Sequence, residues 1–436
     1  MNASTRNLSD ELYAKLTNEE DSRLCEDIDE KACRDSPQSF VAILCSYFLT
    51  KLGDAIASPK TTLAWVCSTV GAPAFVIGFL VPIRESGSML PQLFIGSYIR
   101  GLAVRKWVWV LGSIVQAGAV AGIGLVALYL DGTAAGWGIL ALVVVFSLAR
   151  GFCSVAAKDV IGKTIAKPSR GQLTGWSASM AGGVTIVVGL ALMSLTASEV
   201  ERFMLGALLM GAGLLWLIGA GIYAQVPEYE GATDGGRNVL EALGRLRMLV
   251  DDQPFRRFVI TRALLMCSAL SAPFYVALAQ AELGSPAWLL GAFVAASGLA
   301  SLVSAPFWGR FADVSSKKVM ILAALVTSGI GLLTFALHRA VPGIAGSVWF
   351  LPLAYFVLSI AHSGVRVGRK TYVINLGSGN QRTDYVAIGN SVIGLLLLLA
   401  GSIGVLAPLI GQAGVIALLA GMGLLGALAG LRLPDV

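Results

Sequence analysis

The sequence predicts an all-α integral membrane protein with twelve transmembrane helices in two pseudo-symmetric six-helix bundles. Three observations support this prediction: the composition, the lengths of the apolar segments, and a repeat of about half the chain. Of the 436 residues, 56% are hydrophobic and only 13% are charged. Soluble domains carry about 25% charged residues, so this chain is expected to be surrounded mostly by lipid.

The apolar segments have the length of membrane-crossing helices, which need about 20 residues. Six precede a polar stretch and six follow it, which gives two bundles. Segments of this length exclude the short alternating strands of a β-barrel. The predicted spans are 39–59, 70–99, 107–130, 134–157, 172–197 and 203–225, then 255–281, 286–308, 319–338, 347–370, 384–408 and 412–431.

The polar regions complete a four-part organisation. Residues 1–38 hold ten Asp and Glu against five Lys and Arg, and we expect an acidic cytosolic tail with a short helix around 10–16. Residues 39–225 form the N-terminal bundle and 255–436 the C-terminal bundle. Between them, 226–254 is expected to be a cytoplasmic linker with an amphipathic helix, because its apolar residues share one helical face.

The distribution of Lys and Arg predicts the orientation. The loops on the side of the two termini, together with the C-terminal segment, carry 20 of these residues, whereas the opposite loops carry only Lys60, Arg202 and Arg339. Positive residues accumulate in cytoplasmic loops. We therefore expect a multi-pass protein of the plasma or inner membrane with both termini in the cytoplasm.

The two halves repeat each other in sequence. An offset of 213 residues aligns Gly78 with Gly291, Gly96 with Gly309 and Arg105 with Lys318, and an offset of 212 aligns Arg170 with Arg382 and Gly182 with Gly394. Because each half has an even number of spans, the halves have the same topology and are related by an axis along the membrane normal. Proteins built this way are typically transporters, with the site between the halves.

The chain resembles the major facilitator superfamily in this architecture and in its loop signature, Gly-x-x-x-Asp followed by a basic pair. The second half matches at Gly309, Asp313, Lys317 and Lys318. The first half matches at Gly96, Arg105 and Lys106, with Arg100 in the place of the Asp. Arg150 matches part of a fourth-span arginine motif of the family. The fifth span has Gly182-Gly183 but lacks the proline of the drug/proton antiporter signature. The resemblance implies secondary transport by alternating access around a site near the bilayer midplane, with the loop residues as a conformational gate.

Ionisable side chains inside spans are costly and usually face a cavity. Lys51 and Asp54 share a face of the first span, and Arg84, Glu85 and Gln92 lie on the second. One hypothesis is that Glu85 or Asp54 takes up and releases a proton, because a cation that approaches or leaves a carboxylate changes its proton affinity. The alternative is a permanent salt bridge, Asp54–Arg84 or Lys51–Glu85, that fixes the packing.

The fourth and tenth spans carry basic stripes. Arg150 and Lys158 lie on the fourth, and His362, Arg366 and Arg369 lie on the tenth. They suit an anionic substrate; the alternative is a cytoplasmic gate in which Asp159 is a partner. The full prediction assigns substrate or proton coupling to Lys51, Asp54, Arg84, Glu85, Gln92, Arg150, His362, Arg366 and Asn390, and gating to Arg100, Arg105, Lys158, Asp159, Asp313, Lys317, Lys318 and Arg369.

Other classes of function have less support in the sequence. The chain has no P-loop motif, and its two histidines and six cysteines form no metal-site pattern; the cysteines are expected to be reduced. We expect no enzyme, no cofactor or metal, no nucleic-acid partner, and a monomer in the lipid bilayer. The leading hypothesis is a proton-coupled transporter of a small molecule, with Arg84 and Glu85 favouring a polar or zwitterionic metabolite. The alternatives are a passive facilitator, a drug or metabolite exporter, and a non-transporting sensor or scaffold.

Overall fold

The computed structural model describes residues 3–17, 28, 30–194, 201–231, 233, 247–377 and 380–435. Throughout these ranges the regular structure is helical, with no β-strand. Ten helical stretches in them are long and apolar enough to cross a membrane. They account for the twelve predicted spans, because the second span is interrupted below the required length and the last two are joined into one stretch.

The spans are bounded as follows. In the first half, span 1 is Ser36–Ile56 with Thr62–Thr69, span 2 is Ala74–Met89 with Gln92–Arg100, span 3 is Lys106–Tyr129, span 4 is Gly132–Thr164, span 5 is Lys167–Met193 and span 6 is Arg202–Tyr223. In the second half, span 7 is Gln253–Leu264, Cys267–Leu270 and Ala272–Leu283, spans 8 and 9 share Ala287–Ala340 and meet at Ser315, and span 10 is Phe350–Leu376. Span 11 is Asn380–Gly401 with the 3-10 helix Ser402–Leu406, and it runs into Ala407–Leu431, which turns at Gly411 to become span 12.

Glycines in the left-handed backbone conformation mark turns on one membrane face, which we call the far face. The opposite face, where span 1 begins at Ser36, is called the terminal face. Gly71, Gly132, Gly284 and Gly411 have φ values of 68°, 58°, 74° and 74°. Each lies between two consecutive spans at the far face, where a positive φ lets the chain reverse within a few residues. Gly71 and Gly284 are related by the repeat offset of 213.

Spans 1 and 7 are both interrupted inside the bundle at positions that the same offset relates. Span 1 breaks at Ser58-Pro59, because proline lacks a backbone N–H and disfavours helix at the residue before it. The amide of Leu63 donates to the carbonyl of Ser58 at 3.0 Å, and span 7 breaks at Ser271. The predicted end of the first span near residue 59 is therefore wrong, since the span continues to Thr69.

Glycines join the two bundles near the far face, where span 2 meets span 11 and span 5 meets span 8. A methyl group on Gly78 would lie 2.6 Å from Cα of Gly404, and one on Gly291 would lie 2.6 Å from the carbonyl oxygen of Gly189. Small residues allow this close approach of helices in membranes. Because the repeat aligns Gly78 with Gly291, repeat-related glycines have the same packing role in the two halves.

Toward the terminal face, spans 2, 5 and 8 carry glycines that no other described span covers. Methyl groups on Gly96, Gly175 and Gly309 would meet no atom of the described residues within 4 Å. Arg366 and Lys370, on the terminal half of span 10, are exposed. The space between the bundles is therefore closed at the far face and open at the terminal face.

The acidic tail contains a helix, Ala3–Leu16, which is longer than the predicted one. Its Tyr13 is buried and meets Phe40 of span 1 edge-on, with ring centroids 5.2 Å apart. The Tyr13 hydroxyl lies 3.3 Å from Oγ of Ser169 on span 5. This helix is thus packed against the N-terminal bundle.

Two further expectations have different outcomes. Most of the amphipathic helix predicted for the linker lies outside the described residues. Within the described part of the linker, the short helix Met248–Asp251 precedes span 7. Cys33 is disulfide-bonded, so the expectation of reduced cysteines is wrong there. It holds for the free thiols Cys45, Cys67, Cys153 and Cys267.

Candidate functional site

A cavity of about 660 Å³ lies between the two bundles. Spans 1, 2, 4 and 5 line it from the first half, and spans 7, 8, 10 and 11 line it from the second. Its volume falls in the range of about 300–1,000 Å³ that is typical of small-molecule sites. Among the described residues, no group of three His, Cys, Asp or Glu side chains is placed to hold a metal ion.

The cavity brings together most of the predicted site residues. Eight of the nine residues assigned to substrate or proton coupling line it, and the ninth, Arg84, lies directly behind Asp54. The predicted gate residue Arg369 also lines it. The charged residues of the lining are Lys51, Lys60, Arg150, Arg262, Arg366, Arg369 and Lys370, against Asp54 and Glu85.

Asp54 is held by two arginines. Its Oδ1 accepts a hydrogen bond from Arg84 at 2.5 Å and its Oδ2 accepts one from Arg150 at 2.7 Å. The Arg84 side chain is only 7% exposed, and its guanidinium lies 4.1 Å from the ring centroid of Phe146. The structure thus forms the Asp54–Arg84 salt bridge that the sequence offered as an alternative, and it adds Arg150 to it.

Glu85 is different from Asp54, because its carboxylate makes no hydrogen bond or ion pair with a described residue. It faces the cavity and interacts at longer range with the cations Arg150, Lys60, Arg84 and Arg369. The Lys51–Glu85 bridge does not form. Lys51 donates instead to Oγ of Ser177 at 2.6 Å and to the carbonyl of Thr174 at 3.0 Å.

Lys60 also lies in this site, although it was not among the predicted site residues. It follows Pro59 in the break of span 1, and its Nζ lies 2.8 Å from Nε2 of His362 on span 10. His362 is one residue from the centre of a 27-residue helix, so Lys60 lies deep in the membrane and not in a far-face loop. Arg202 and Arg339 therefore remain as the positive residues of the far-face loops, and the orientation stays a prediction.

The second half contributes a basic wall. Arg262 is buried and donates to Oδ1 of Asn390 at 2.8 Å. Arg366, Arg369 and Lys370 make no hydrogen bond or ion pair within the described part of the chain, and all three line the cavity. Such guanidinium and ammonium groups are suited to bind carboxylate or phosphate oxygens.

Two of the predicted gate residues of the first half, Arg105 and Asp159, meet at the terminal face. Arg105 forms an ion pair with Asp159, and Lys163 lies 3.4 Å from Asp159 and 2.8 Å from Glu228. Glu228 also accepts from the backbone amide of Lys106 at 2.6 Å. Glu228, which was not among the predicted residues, follows the last span of this half and supplies the second carboxylate of the cluster.

The remaining gate residues are dispersed. Lys158 and Asp313 are exposed, and Asp313 makes no ion pair in the described ranges. Lys317 lies 3.3 Å from Asp435, the amide of Lys318 donates to a serine hydroxyl, and the side chain of Arg100 lies outside the described side chains. Their gating role remains a prediction.

Comparison with solved structures identifies this architecture. A D-xylose-proton symporter shares 14% sequence identity, with a TM-score of 0.69 over 91% of this chain and 98% of the symporter. A mutant of the nucleoside transporter NupG shares 14% sequence identity, with a TM-score of 0.69 over 91% of this chain and 99% of NupG. A bacterial homologue of the iron transporter ferroportin shares 17% identity, with a TM-score of 0.63 over 90% of this chain and 98% of the homologue. No protein-family model and no curated protein matches the sequence.

The chain has the fold of the major facilitator superfamily, with twelve spans in two pseudo-symmetric bundles. This confirms the predicted fold class and the resemblance in architecture. The similar structures are described as a D-xylose-proton symporter, a nucleoside transporter, and bacterial homologues of an iron transporter and of drug peptide transporters. At these low identities the similarity concerns the fold, and the function has to be argued from the site.

Proposed function

We propose that this protein is a secondary transporter that carries a small organic anion across the membrane by alternating access. The observation that carries the proposal is the charge of the cavity between the bundles. Seven cationic side chains line it against two carboxylates, and one of the carboxylates, Asp54, is already engaged by two arginines. An anion is the ligand that this excess attracts.

The proposal refines the expectation of a polar or zwitterionic metabolite. That expectation came from Arg84 and Glu85 in one span. Arg84 points to Asp54 and away from the cavity lining, whereas Lys60, Arg262 and Lys370 add positive charge to it. The balance of the lining therefore favours a substrate with carboxylate or phosphate groups.

The shape of the molecule supports alternating access. The bundles touch through Gly78–Gly404 and Gly189–Gly291 at the far face and diverge toward the terminal face, so the cavity communicates with one side only. With the predicted orientation this state is open to the cytoplasm. We further propose that protons drive the transport, as the sequence analysis expected.

Reconstitution into proteoliposomes tests the proposal. Lactate, succinate, citrate and glycerol 3-phosphate form the anion panel, and xylose and glycine betaine are the comparison solutes. We expect counterflow of at least one anion and of neither comparison solute. Arg369→Gln is expected to lower the transport rate at least tenfold, because a lost charge-assisted hydrogen bond of about 1.5–3 kcal/mol corresponds to about tenfold or more.

Arg310→Gln is the matched control, since Arg310 is an exposed arginine that does not line the cavity. Its transport rate is expected to equal that of the unaltered protein. Transport of xylose or glycine betaine in preference to every anion would contradict the proposed substrate class.

The orientation has its own test. A fluorescent protein fused after Leu433 is expected to fold and fluoresce in bacterial cells, whereas alkaline phosphatase at the same place is expected to be inactive, because the positive loops hold the terminal face in the cytoplasm. The opposite pair of results would mean that the open side of the cavity faces outward.

A further inference from the structure

We propose that Lys60 and Nε2 of His362 share one hydrogen-bonded proton, and that uptake and release of a second proton at Nε2 couple proton movement to anion transport as a symport. The inference rests on the transport function proposed above and names the residues of its proton site. It replaces the carboxylates Asp54 and Glu85 in the role that the sequence suggested for them.

The hydrogen-bond distances fit one protonation state of the pair, which we assign to it. The hydroxyl of Ser268 donates to the carbonyl of Leu265 at 3.0 Å, so its oxygen is free to accept from Nδ1 of His362, 3.1 Å away. Nδ1 then carries the imidazole proton, and Nε2 presents a lone pair. The ammonium of Lys60 donates to that lone pair at 2.8 Å.

A second proton cannot be added to this arrangement without breaking it. Protonation of Nε2 would turn the imidazole into an imidazolium and place two cations 2.8 Å apart, where like charges repel strongly. The Lys60–His362 bond would therefore open. Because Lys60 belongs to the first half and His362 to the second, the protonation step breaks a bond between the two bundles.

The charged surroundings explain how an anion would control this step. The described charged groups that act on the pair are Arg84 and Glu85 of span 2 and Arg366 and Arg369 of span 10. Three cations and one carboxylate disfavour a further positive charge while the cavity is empty. An organic anion bound beside Arg366 and Arg369 offsets these cations, and the second proton then enters with it.

The proton balance of the cycle is simple. A proton from water binds Nε2 of His362 as the anion enters, and the Lys60 ammonium turns away. After the bundles rock, the anion leaves and the proton returns to water on the other side. The Lys60–Nε2 hydrogen bond then re-forms, and one proton has crossed with one anion.

The position of Lys60 fits such a role. It lies in the break of span 1, where the backbone at Ser58-Pro59 does not continue the helical hydrogen bonds of the span. Interrupted helices are tolerated in membranes where they line a cavity, and in transporters they commonly form the coupling-ion site. A broken span also allows Lys60 to move without unwinding the packed helix on either side.

The shared proton is testable by NMR without any substrate. The chain has two histidines, so in the His338→Gln variant a ¹⁵N-histidine label reports His362 alone. In lipid nanodiscs near pH 7.5 we expect a protonated Nδ1 and a hydrogen-bonded, unprotonated Nε2. When Lys60→Met is added to this variant, the ¹⁵N chemical shift of Nε2 is expected to move to the value of a nitrogen without a hydrogen bond. A proton on Nε2, or an Nε2 signal unchanged by Lys60→Met, would overturn the proposal.

The coupling is tested in proteoliposomes with the four anions of the panel and the membrane potential clamped. For one proton per anion, one unit of pH gradient supports about tenfold accumulation, the factor that about 1.4 kcal/mol represents. In His362→Gln we expect the ratio of gradient-driven accumulation to counterflow to fall by most of this factor. His338→Gln is the matched control, because His338 pairs with Glu282 at the far face, 3.3 Å away, and the ratio should not change.

The two proposals fail in different ways. An undiminished ratio in His362→Gln would overturn the coupling role and leave the anion transporter intact. If no anion of the panel moves in the unaltered protein, the transport proposal fails together with the coupling that rests on it, and the NMR result still decides whether Lys60 and His362 share a proton.

Discussion

Asp54→Asn is expected to destabilise the protein by at most about 3–5 kcal/mol, the cost of removing one partner from a fully buried ion pair, because Arg84 is 7% exposed and Asp54 is 29% exposed. Asp54 is bonded to Arg84 at 2.5 Å and to Arg150 at 2.7 Å. Arg84 is nearly inaccessible to solvent, so its charge would remain buried without an ion-pair partner. Thermal unfolding in detergent should show the loss as a clear drop in the midpoint temperature.

Two variants isolate the cause of this effect. Asp54→Asn combined with Arg84→Met is expected to recover much of the stability, because no uncompensated charge then remains behind the cavity wall, and Arg150 is 39% exposed to the cavity. Glu85→Gln should unfold close to the unaltered protein, since Glu85 has no ion pair with a described residue. Equal midpoint temperatures for Asp54→Asn and the unaltered protein would contradict a structural role for Asp54.

Gly78→Ala is expected to force the far face apart, although it adds only one methyl group. That group would lie 2.6 Å from Cα of Gly404 and 2.8 Å from the carbonyl oxygen of Gly401. Both are backbone atoms, so the contact is relieved only if spans 2 and 11 separate. The terminal-open state should therefore lose population, and transport should fall by at least tenfold if the displacement costs about 1.4 kcal/mol or more.

Spin labels measure this separation directly. Tyr129 and Leu409 are 78% and 80% exposed at the far-face ends of spans 3 and 11, so cysteines there report the distance between the two halves. We expect a longer distance in Gly78→Ala and no change in the control Gly329→Ala, where a methyl group meets nothing within 4 Å. An unchanged distance in Gly78→Ala would mean that the contact yields in another way.

The repeat is the part of the sequence that predicted most. It aligned Gly78 with Gly291, and the structure gives both glycines the same role at an interface between the halves. It also relates the turns at Gly71 and Gly284. Periodic features of this kind are readable in sequence because each helix that crosses a bilayer must satisfy the same length and packing constraints.

Charge partners were much less predictable. The sequence placed the ionisable residues in spans but left open which carboxylate meets which cation, because such pairs depend on the rotation and tilt of helices far apart in the chain. Asp54 thus accepts a hydrogen bond from Arg150 of span 4, and Lys51 donates to Ser177 of span 5 instead of pairing with Glu85. Glu228 joined a cluster with Asp159 that local spacing gave no reason to expect.

Lys60 shows where reading the sequence in order fails. Pro59 predicts the end of a helix, and Lys60, which follows it, is therefore predicted to lie in a loop. The apolar run from Leu63 to Val70, which precedes the left-handed turn at Gly71, was the signal that the span continues.

Composition, segment length and the internal repeat by themselves determined a twelve-span membrane protein with two similar halves, because lipid imposes those constraints on any chain that crosses it repeatedly. Only the tertiary structure decided that Lys60 of one half meets His362 of the other and that the cavity between them carries an excess of positive charge. Pairings of this kind arise when distant helices are packed together, and no local pattern of residues encodes them.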